Sequence, residues 1–194
     1  MELSILERDF IPGMRKVPET AAMLDAFPNL GPELTKAMAS QIDIYMAEFD
    51  ARFHPRATAI VRKHLSKDDV RELTAFFSAP SGRKFLAIAA QNIDGTEVVE
   101  RATKNEAVDE GVMQRQAFRS GIMTYAKLSD DERKMVRDMV ASPAGQRLQA
   151  MAPAFHALQT ELMNNPGPRF EAATEKALGE VFERVTGLEA SSAK

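Results

Sequence analysis

The residues best equipped for chemistry fall in three places along the 194-residue chain. The first is a pair of related turns, Pro80-Ser81-Gly82-Arg83-Lys84 and Pro143-Ala144-Gly145-Gln146-Arg147. A helix start presents unpaired backbone N–H groups, a glycine lets a ligand come close, and nearby cations attract phosphate or carboxylate. Gly82, Arg83, Lys84, Gly145 and Arg147 are therefore the candidate anion site. The plainer reading is a helix joint with solvated basic side chains, since proline removes one of the donors. The second place is Asp50 and His54, four apart on one helix face, with Glu48 nearby. That carboxylate/histidine set could hold a metal or serve an enzyme, against the plainer reading of a solvated helix end. The third is the set of eleven methionines, among them Met38, Met46, Met135, Met139, Met151 and Met163. Methionines can line an adaptable groove for an apolar ligand or a partner helix, and they also fill gaps in helical cores.

Much else is excluded. With no cysteine, the chain has no disulfide framework, no thiolate nucleophile and no zinc site with sulfur ligands. His64 and His156 lack an acidic neighbour at ligand spacing. The acidic clusters Asp68-Asp69 and Asp130-Asp131-Glu132 could hold a cation, but carboxylates belong at helix starts in any case. There is no GxxxxGK[ST] loop, no GxGxxG after a strand, no GxSxG and no HExxH, so no cofactor and no catalytic residue is expected. A net charge of −3, no Trp and two Tyr disfavour a nucleic-acid partner. No stretch approaches the roughly 18 apolar residues of a spanning helix, so no transmembrane segment is expected.

These residues must be positioned by helices, because no segment alternates with period two for long enough to argue a strand. Most prolines stand where a helix would begin, the position at which a missing N–H costs nothing. Short helices are expected from Ser4 to Phe10 and from Pro18 to Phe27. Pro32 opens a long one, in which Leu34, Met38, Ile42, Tyr45, Phe49 and Phe53 form one apolar face. His54-Pro55 should interrupt or kink that helix before Ile60 to Leu65 resume the pattern. Val98 to Tyr125 reads as further helix, broken near Gly111. After Asn164-Asn165-Pro166-Gly167-Pro168, the residues Phe170, Thr174, Ala177, Leu178, Val181, Phe182 and Val185 mark a last amphipathic helix ending at Gly187.

The most informative feature is a repeat. LSKDDVRELTAFFSAPSGRKFLAIA begins at Leu65 and LSDDERKMVRDMVASPAGQRLQAMA begins 63 residues later at Leu128. Seven of the 25 aligned positions are identical, including Ser66/Ser129, Pro80/Pro143 and Gly82/Gly145. Ser66 and Ser129, with Asp69 and Glu132 three residues on, have the pattern of capping boxes. Pro80 and Pro143 end one helix and start the next. Glycine is about 1 kcal/mol worse than alanine inside a helix, so its presence at both Gly82 and Gly145 implies a close approach there.

The run Val70-Arg71-Glu72-Leu73-Thr74-Ala75-Phe76-Phe77-Ser78-Ala79-Pro80-Ser81-Gly82-Arg83-Lys84 resembles the signature of a bacterial family catalogued as domain of unknown function 2059. That signature is an acidic-hydrophobic helix, an aromatic pair, Ser or Thr, Pro, any residue, Gly and a basic pair. The resemblance covers about residues 50 to 95 and recurs more weakly from 115 to 160. Phe77 stands where tyrosine is common, and Ala79 where Ser or Thr is usual, although Ser142 keeps the hydroxyl in the second copy. The resemblance implies a small helical protein of Gram-negative bacteria, often exported to the periplasm, with no established activity.

The expectation is therefore all-α: one helical domain over residues 1–187, a single bundle with two pseudo-repeated helix-Pro-helix hairpins, the copies at about 65–94 and 128–164. A disordered tail is expected at 188–194. The function expected is non-catalytic binding of a partner protein, a second copy of the chain or an apolar ligand, in the cell envelope and through the surface between the two hairpins. The alternatives are an enzyme built on Glu48, Asp50 and His54, or anion binding at the Pro-x-Gly helix starts. Met1-Glu2-Leu3-Ser4 has neither the basic nor the apolar part of an export signal. The location is expected to be periplasmic if such a signal precedes it and cytoplasmic otherwise.

Overall fold

A computed structural model describes residues 3–187, with side chains from residue 8 onward; the tail expected over 188–194 lies outside the described residues. Among the described residues the chain forms twelve helices and no strand, the all-α class expected. They are α1 (Leu3–Met14), α2 (Pro18–Ala26), α3 (Leu30–Ala39), α4 (Ile42–His64), α5 (Lys67–Ser78), α6 (Pro80–Gln91), α7 (Thr96–Thr103), α8 (Glu110–Ala126), α9 (Asp130–Ala141), α10 (Pro143–Ala150), α11 (Ala152–Asn164) and α12 (Pro168–Thr186).

The local signals account for most helix ends. Ser66 accepts from the Asp69 N–H and the Asp69 carboxylate accepts from the Ser66 N–H; Ser129 and Glu132 do the same, so both capping boxes form. Pro18, Pro80, Pro143 and Pro168 each stand in the first turn of a helix. Gly187 closes α12 in the left-handed conformation, φ 70°.

Five boundaries differ from expectation, one of them at Met151, where the second helix of the copy at 128–164 is divided into α10 and α11. Pro12 lies inside α1, which runs on to Met14. Pro55 lies inside α4, which continues unbroken to His64. The long helix expected from Pro32 to Phe53 is instead divided at Ser40-Gln41, where the Ser40 hydroxyl donates to the Ala37 carbonyl at 2.7 Å and Gln41 donates to Ser40. Such a side-chain bond competes with helix continuation. The break expected near Gly111 falls earlier, between Thr103 and Glu110, and Asp109 caps α8 through the Val112 N–H at 3.0 Å.

The chain divides into two compact units whose segments interleave. Unit 1 comprises Met1–Arg52, Asp94–Val108 and Leu162–Lys194; unit 2 comprises Phe53–Ile93 and Asp109–Glu161. Unit 1 is built on a core of Phe10, Leu24, Leu30, Leu34 and Val181, with α12 packed on α3 and α1 on both α3 and α7. Its α1–α7 contact is tight: a Cβ on Gly13 would stand 2.5 Å from Val99 Cβ and 2.8 Å from the Thr96 carbonyl oxygen. The buried Asp9 carboxylate accepts from the Gly95 N–H at 2.6 Å and from Arg8, tying the entry of α7 to α1.

Unit 2 carries the two hairpins, α5–α6 and α9–α10, with Leu73, Ala144, Met151 and Leu158 among its buried residues. Val70, Val140 and Ile93 are 40%, 41% and 43% exposed. The Ser120 hydroxyl donates to the Ala89 carbonyl at 3.0 Å, and Asn92 bonds Thr124 and Lys127, fastening α6 to α8 and the turn after it.

Candidate functional site

Each residue singled out from sequence has a definite place. Gly82 and Gly145 are buried because a Cβ on either would stand 2.0 Å from a backbone carbonyl oxygen, that of Phe76 or Met139. The close approach expected there is thus made by the preceding helix of the same hairpin and leaves no room for a ligand. The Gly145 N–H donates to the Ser142 hydroxyl at 3.2 Å. Arg147 forms a two-pronged pair with Asp69, its Nε 2.8 Å from Oδ2 and its other prong on Oδ1. Lys84 bonds both Glu132 carboxylate oxygens at 2.8 and 2.9 Å. Of the expected anion site only Arg83 simply faces solvent. The two turns do not assemble an anion cradle, because carboxylates within unit 2 already occupy two of the three cations.

Those two pairs are related. The offset of 63 residues that aligns the sequences carries Asp69 to Glu132 and Lys84 to Arg147, so each hairpin offers its capping carboxylate to a cation of the other hairpin. The Arg147 guanidinium, followed by the Ser66 hydroxyl and N–H, holds the Asp69 carboxyl well below the usual carboxylate range. Lys84, then the Ser129 N–H, lowers Glu132 in the same way. The surface expected between the hairpins to bind a ligand is spanned by these pairs.

Glu48, Asp50 and His54 are not grouped as a three-residue metal set. The Glu48 carboxylate accepts from the Phe170 N–H at 2.9 Å and the Arg169 N–H at 3.3 Å, which makes it the cap of α12, a helix whose own N-cap, Gly167, has no side chain to offer. Asp50 and His54 are exposed, and the His54 ring lies edge-on to Phe53 at 6.2 Å. Among the described residues no three His, Cys, Asp or Glu side chains are grouped to hold a metal.

The structure instead shows an apolar cavity of about 450 Å³ wholly within unit 1. Phe10 and Met14 reach it from α1, Met38 from α3, Ile42 and Tyr45 from α4, and Val98, Val99, Ala102 and Thr103 from α7. Met163 and Pro166 close one side, with Phe170, Thr174 and Leu178 from α12. No lining residue is charged. Two further hollows of unit 1, about 340 and 330 Å³, differ in having charged residues in their lining, Arg15 in the first and Glu33, Lys36, Glu180 and Arg184 in the second.

The wall is held from behind by polar contacts. Asn164 makes two bonds to Val108, accepting from its N–H and donating to its carbonyl, both at 2.8 Å. Arg52 donates to the Asn165 carbonyl, so the segment bearing Pro166 is fixed to α4. Inside, the Tyr45 ring stacks on Phe49 at 5.7 Å and meets Phe170 edge-on at 5.1 Å. Burial pushes the Tyr45 phenol up from its ordinary value of 10.0, against the opposing charge of Arg52, so it is a protonated donor at neutral pH. Thr103 donates to the Val99 carbonyl at 2.8 Å, whereas the buried Thr174 hydroxyl has no hydrogen-bond partner among the described residues.

Of the methionines expected to line a groove, Met38 and Met163 line this cavity, Met151 is buried in unit 2, and Met135 is 41% exposed. Tyr45, Phe170, Thr174 and Leu178 belong to apolar stripes visible in the sequence. No residue pattern announced that the two stripes face each other, or that α7 completes the wall.

Fold and cavity together define an all-α protein with an apolar pocket. A family model described as "Uncharacterized protein conserved in bacteria (DUF2059)" matches residues 51–92, which bears out the resemblance over the first hairpin and the helix before it. No curated protein and no solved structure matches the chain. No helix among the described residues is long and apolar enough to cross a membrane.

Proposed function

We propose that the protein is a non-catalytic binder of a small apolar ligand, held in the cavity of unit 1. The observation that carries this reading is a space of about 450 Å³ with no charged residue in its lining. Ligand pockets run from about 300 to 1,000 Å³ and are mostly apolar with a few placed polar groups. A dry apolar cavity of about 150 Å³ already accepts benzene. Three times that volume suits a molecule of roughly eighteen carbon atoms.

The test is titration with pyrene, an uncharged four-ring hydrocarbon whose emission reports an apolar surrounding. Wild-type protein should bind it saturably. Ala102→Phe places a ring in the cavity from an exposed position of α7 and should weaken binding about tenfold or more without lowering the melting temperature. Equal binding by the two proteins would refute the reading.

Two further parts of the proposal rest on other observations. Unit 2 is an internally duplicated hairpin pair, a reading supported by the reciprocal ion pairs and by two glycines meeting equivalent carbonyls. The cell envelope is the proposed location, supported by the family resemblance, and fractionation of cells carrying the native gene would test it.

A further inference from the structure

The large apolar side chains left exposed among the described residues all lie in unit 2, and Phe118 of α8, 73% exposed, is the extreme case. The buried side of α8 holds Val112 and Met113 but also two hydroxyls: Thr124, which accepts from Asn92, and Ser120, which donates to Ala89. The solvent side presents Phe118 and, one turn on, Ile122, 53% exposed. Arg115, Phe118, Arg119 and Ile122 stand at i, i+3, i+4 and i+7, which is one face of the helix, and Ala126 continues it. Met123 and Lys127, also exposed, border that face. No carboxylate occurs between Gly111 and Ser129; the acidic residues nearest in sequence stand at the two ends, Asp109 and Glu110 before and Asp130 and Asp131 after. In a chain of net charge −3, this helix face is apolar and basic.

Apolar residues scattered singly over a surface are ordinary, but Phe118 and Ile122 one turn apart with arginines interleaved form a patch. A second copy packed on this face would gather the arginines of both chains into one contact, a like-charge cost. Three large apolar side chains also fall well short of the roughly 20 to 30 residues a side that a stable dimer buries. An anionic bilayer answers both the apolar and the basic character. Apolar side chains enter the boundary between headgroups and acyl chains one by one, without a matched surface, while cations beside them meet the lipid phosphates. We propose that α8 is a peripheral membrane-binding face of unit 2: Phe118 and Ile122 insert into an anionic phospholipid surface, and Arg115 and Arg119 meet its phosphates. The face shares no residue with the cavity of unit 1.

The experiment is flotation of the full chain with vesicles of phosphatidylcholine mixed with phosphatidylglycerol, against vesicles of phosphatidylcholine alone. Wild-type protein should bind the anionic vesicles at least about tenfold more tightly than the neutral ones, and salt at about 0.5 M should remove most of that difference. Phe118→Ser should weaken binding about tenfold and, because the side chain is so exposed, leave the melting temperature unchanged. Arg119→Gln should weaken it about fivefold. Arg71→Gln removes one positive charge from an exposed position of α5 and should change binding by less than about twofold, which separates this face from net charge. Failure to bind anionic vesicles, equal binding to neutral ones, or undiminished binding by Phe118→Ser would each overturn the proposal. So would concentration-dependent self-association in sedimentation velocity that Phe118→Ser abolishes, which would give the face to a second copy instead.

Discussion

In the first hairpin of unit 2 the chain turns from α5 into α6 through Ala79; in the second it turns from α9 into α10 through Ser142. The backbone is the same at both, φ −68° and ψ 156° at Ala79 against φ −67° and ψ 156° at Ser142. The side chains do different things. Ser142 accepts from the Gly145 N–H, while Ala79 offers no side-chain cap. The ion pairs between hairpins also differ in kind, one a bidentate guanidinium on a carboxylate only 5% exposed, the other an ammonium on a carboxylate 15% exposed. What the hairpins share is therefore what sterics demand of the backbone, namely proline, glycine and the capping box. What varies is the strength of bonds added to that frame.

The largest effect should come from the shared element. Gly82→Ala would drive a Cβ to 2.0 Å from the Phe76 carbonyl oxygen and 2.8 Å from Phe77 Cα; Gly145→Ala meets Met139 and Val140 at 2.0 and 3.0 Å. Backbone atoms cannot step aside as a flexible side chain does, so each hairpin must open. Each substitution should cost about 3 kcal/mol in chemical denaturation. Gly121 and Gly179, with nothing within 4 Å, are the controls: alanine there should be neutral or stabilise by up to about 1 kcal/mol. Equal behaviour of Gly82 and Gly121 would show that the tight joint is not what holds the hairpin.

The ion pairs come next, and they should separate the hairpins. Asp69→Asn removes the acceptor of Arg147 and one half of the Ser66 capping box, and Glu132→Gln does the same to Lys84 and Ser129. Asp69→Asn should lower the melting temperature more, because its carboxylate is better enclosed and its partner grips both oxygens. The folded-state pKa of Asp69 is depressed, so its stabilising contribution is present above the ordinary carboxylate value of 3.8 and is lost as pH falls through the folded value. The gap between wild type and Asp69→Asn should be full near neutral pH and shrink steadily as the solution is acidified below that ordinary value. A gap that stays constant with pH would mean that packing, and not charge, is what the asparagine disturbs.

The contrast between local and distant interactions explains what could be read from the chain. Both capping boxes, the proline starts and the need for glycine at 82 and 145 are local, and all are visible in a dozen residues. The partners of Lys84 and Arg147 lie 48 and 78 residues away, so the same cations look free in sequence and suggest an anion site that the fold does not leave open. Glu48 is similar: three positions on a helix suggest a metal set, yet its carboxylate is claimed by an N-terminus more than 120 residues on. The cavity is the extreme case. Its wall draws on α1, α3, α4, α7 and α12, and a stripe at helical spacing looks the same whether its neighbour fills the space or leaves it empty.

The smallest effect falls on the one position where the hairpins differ without any change of backbone. Ala79→Ser should supply to the Gly82 N–H the cap that Ser142 gives Gly145, since the torsions at the two residues already coincide. The expected gain is about 1 kcal/mol, and Ser142→Ala should lose a similar amount, both read from denaturation midpoints at unchanged slope. The double variant then tests whether the caps are interchangeable: it should return close to wild-type stability, because the two joints lie in different hairpins and share no bond. If Ala79→Ser gains nothing while Ser142→Ala loses, the Gly82 N–H is already satisfied in a way the second hairpin lacks. The two joints would then be alike in torsion angles but not in how their donors are met, and the first hairpin could not be treated as an uncapped copy of the second.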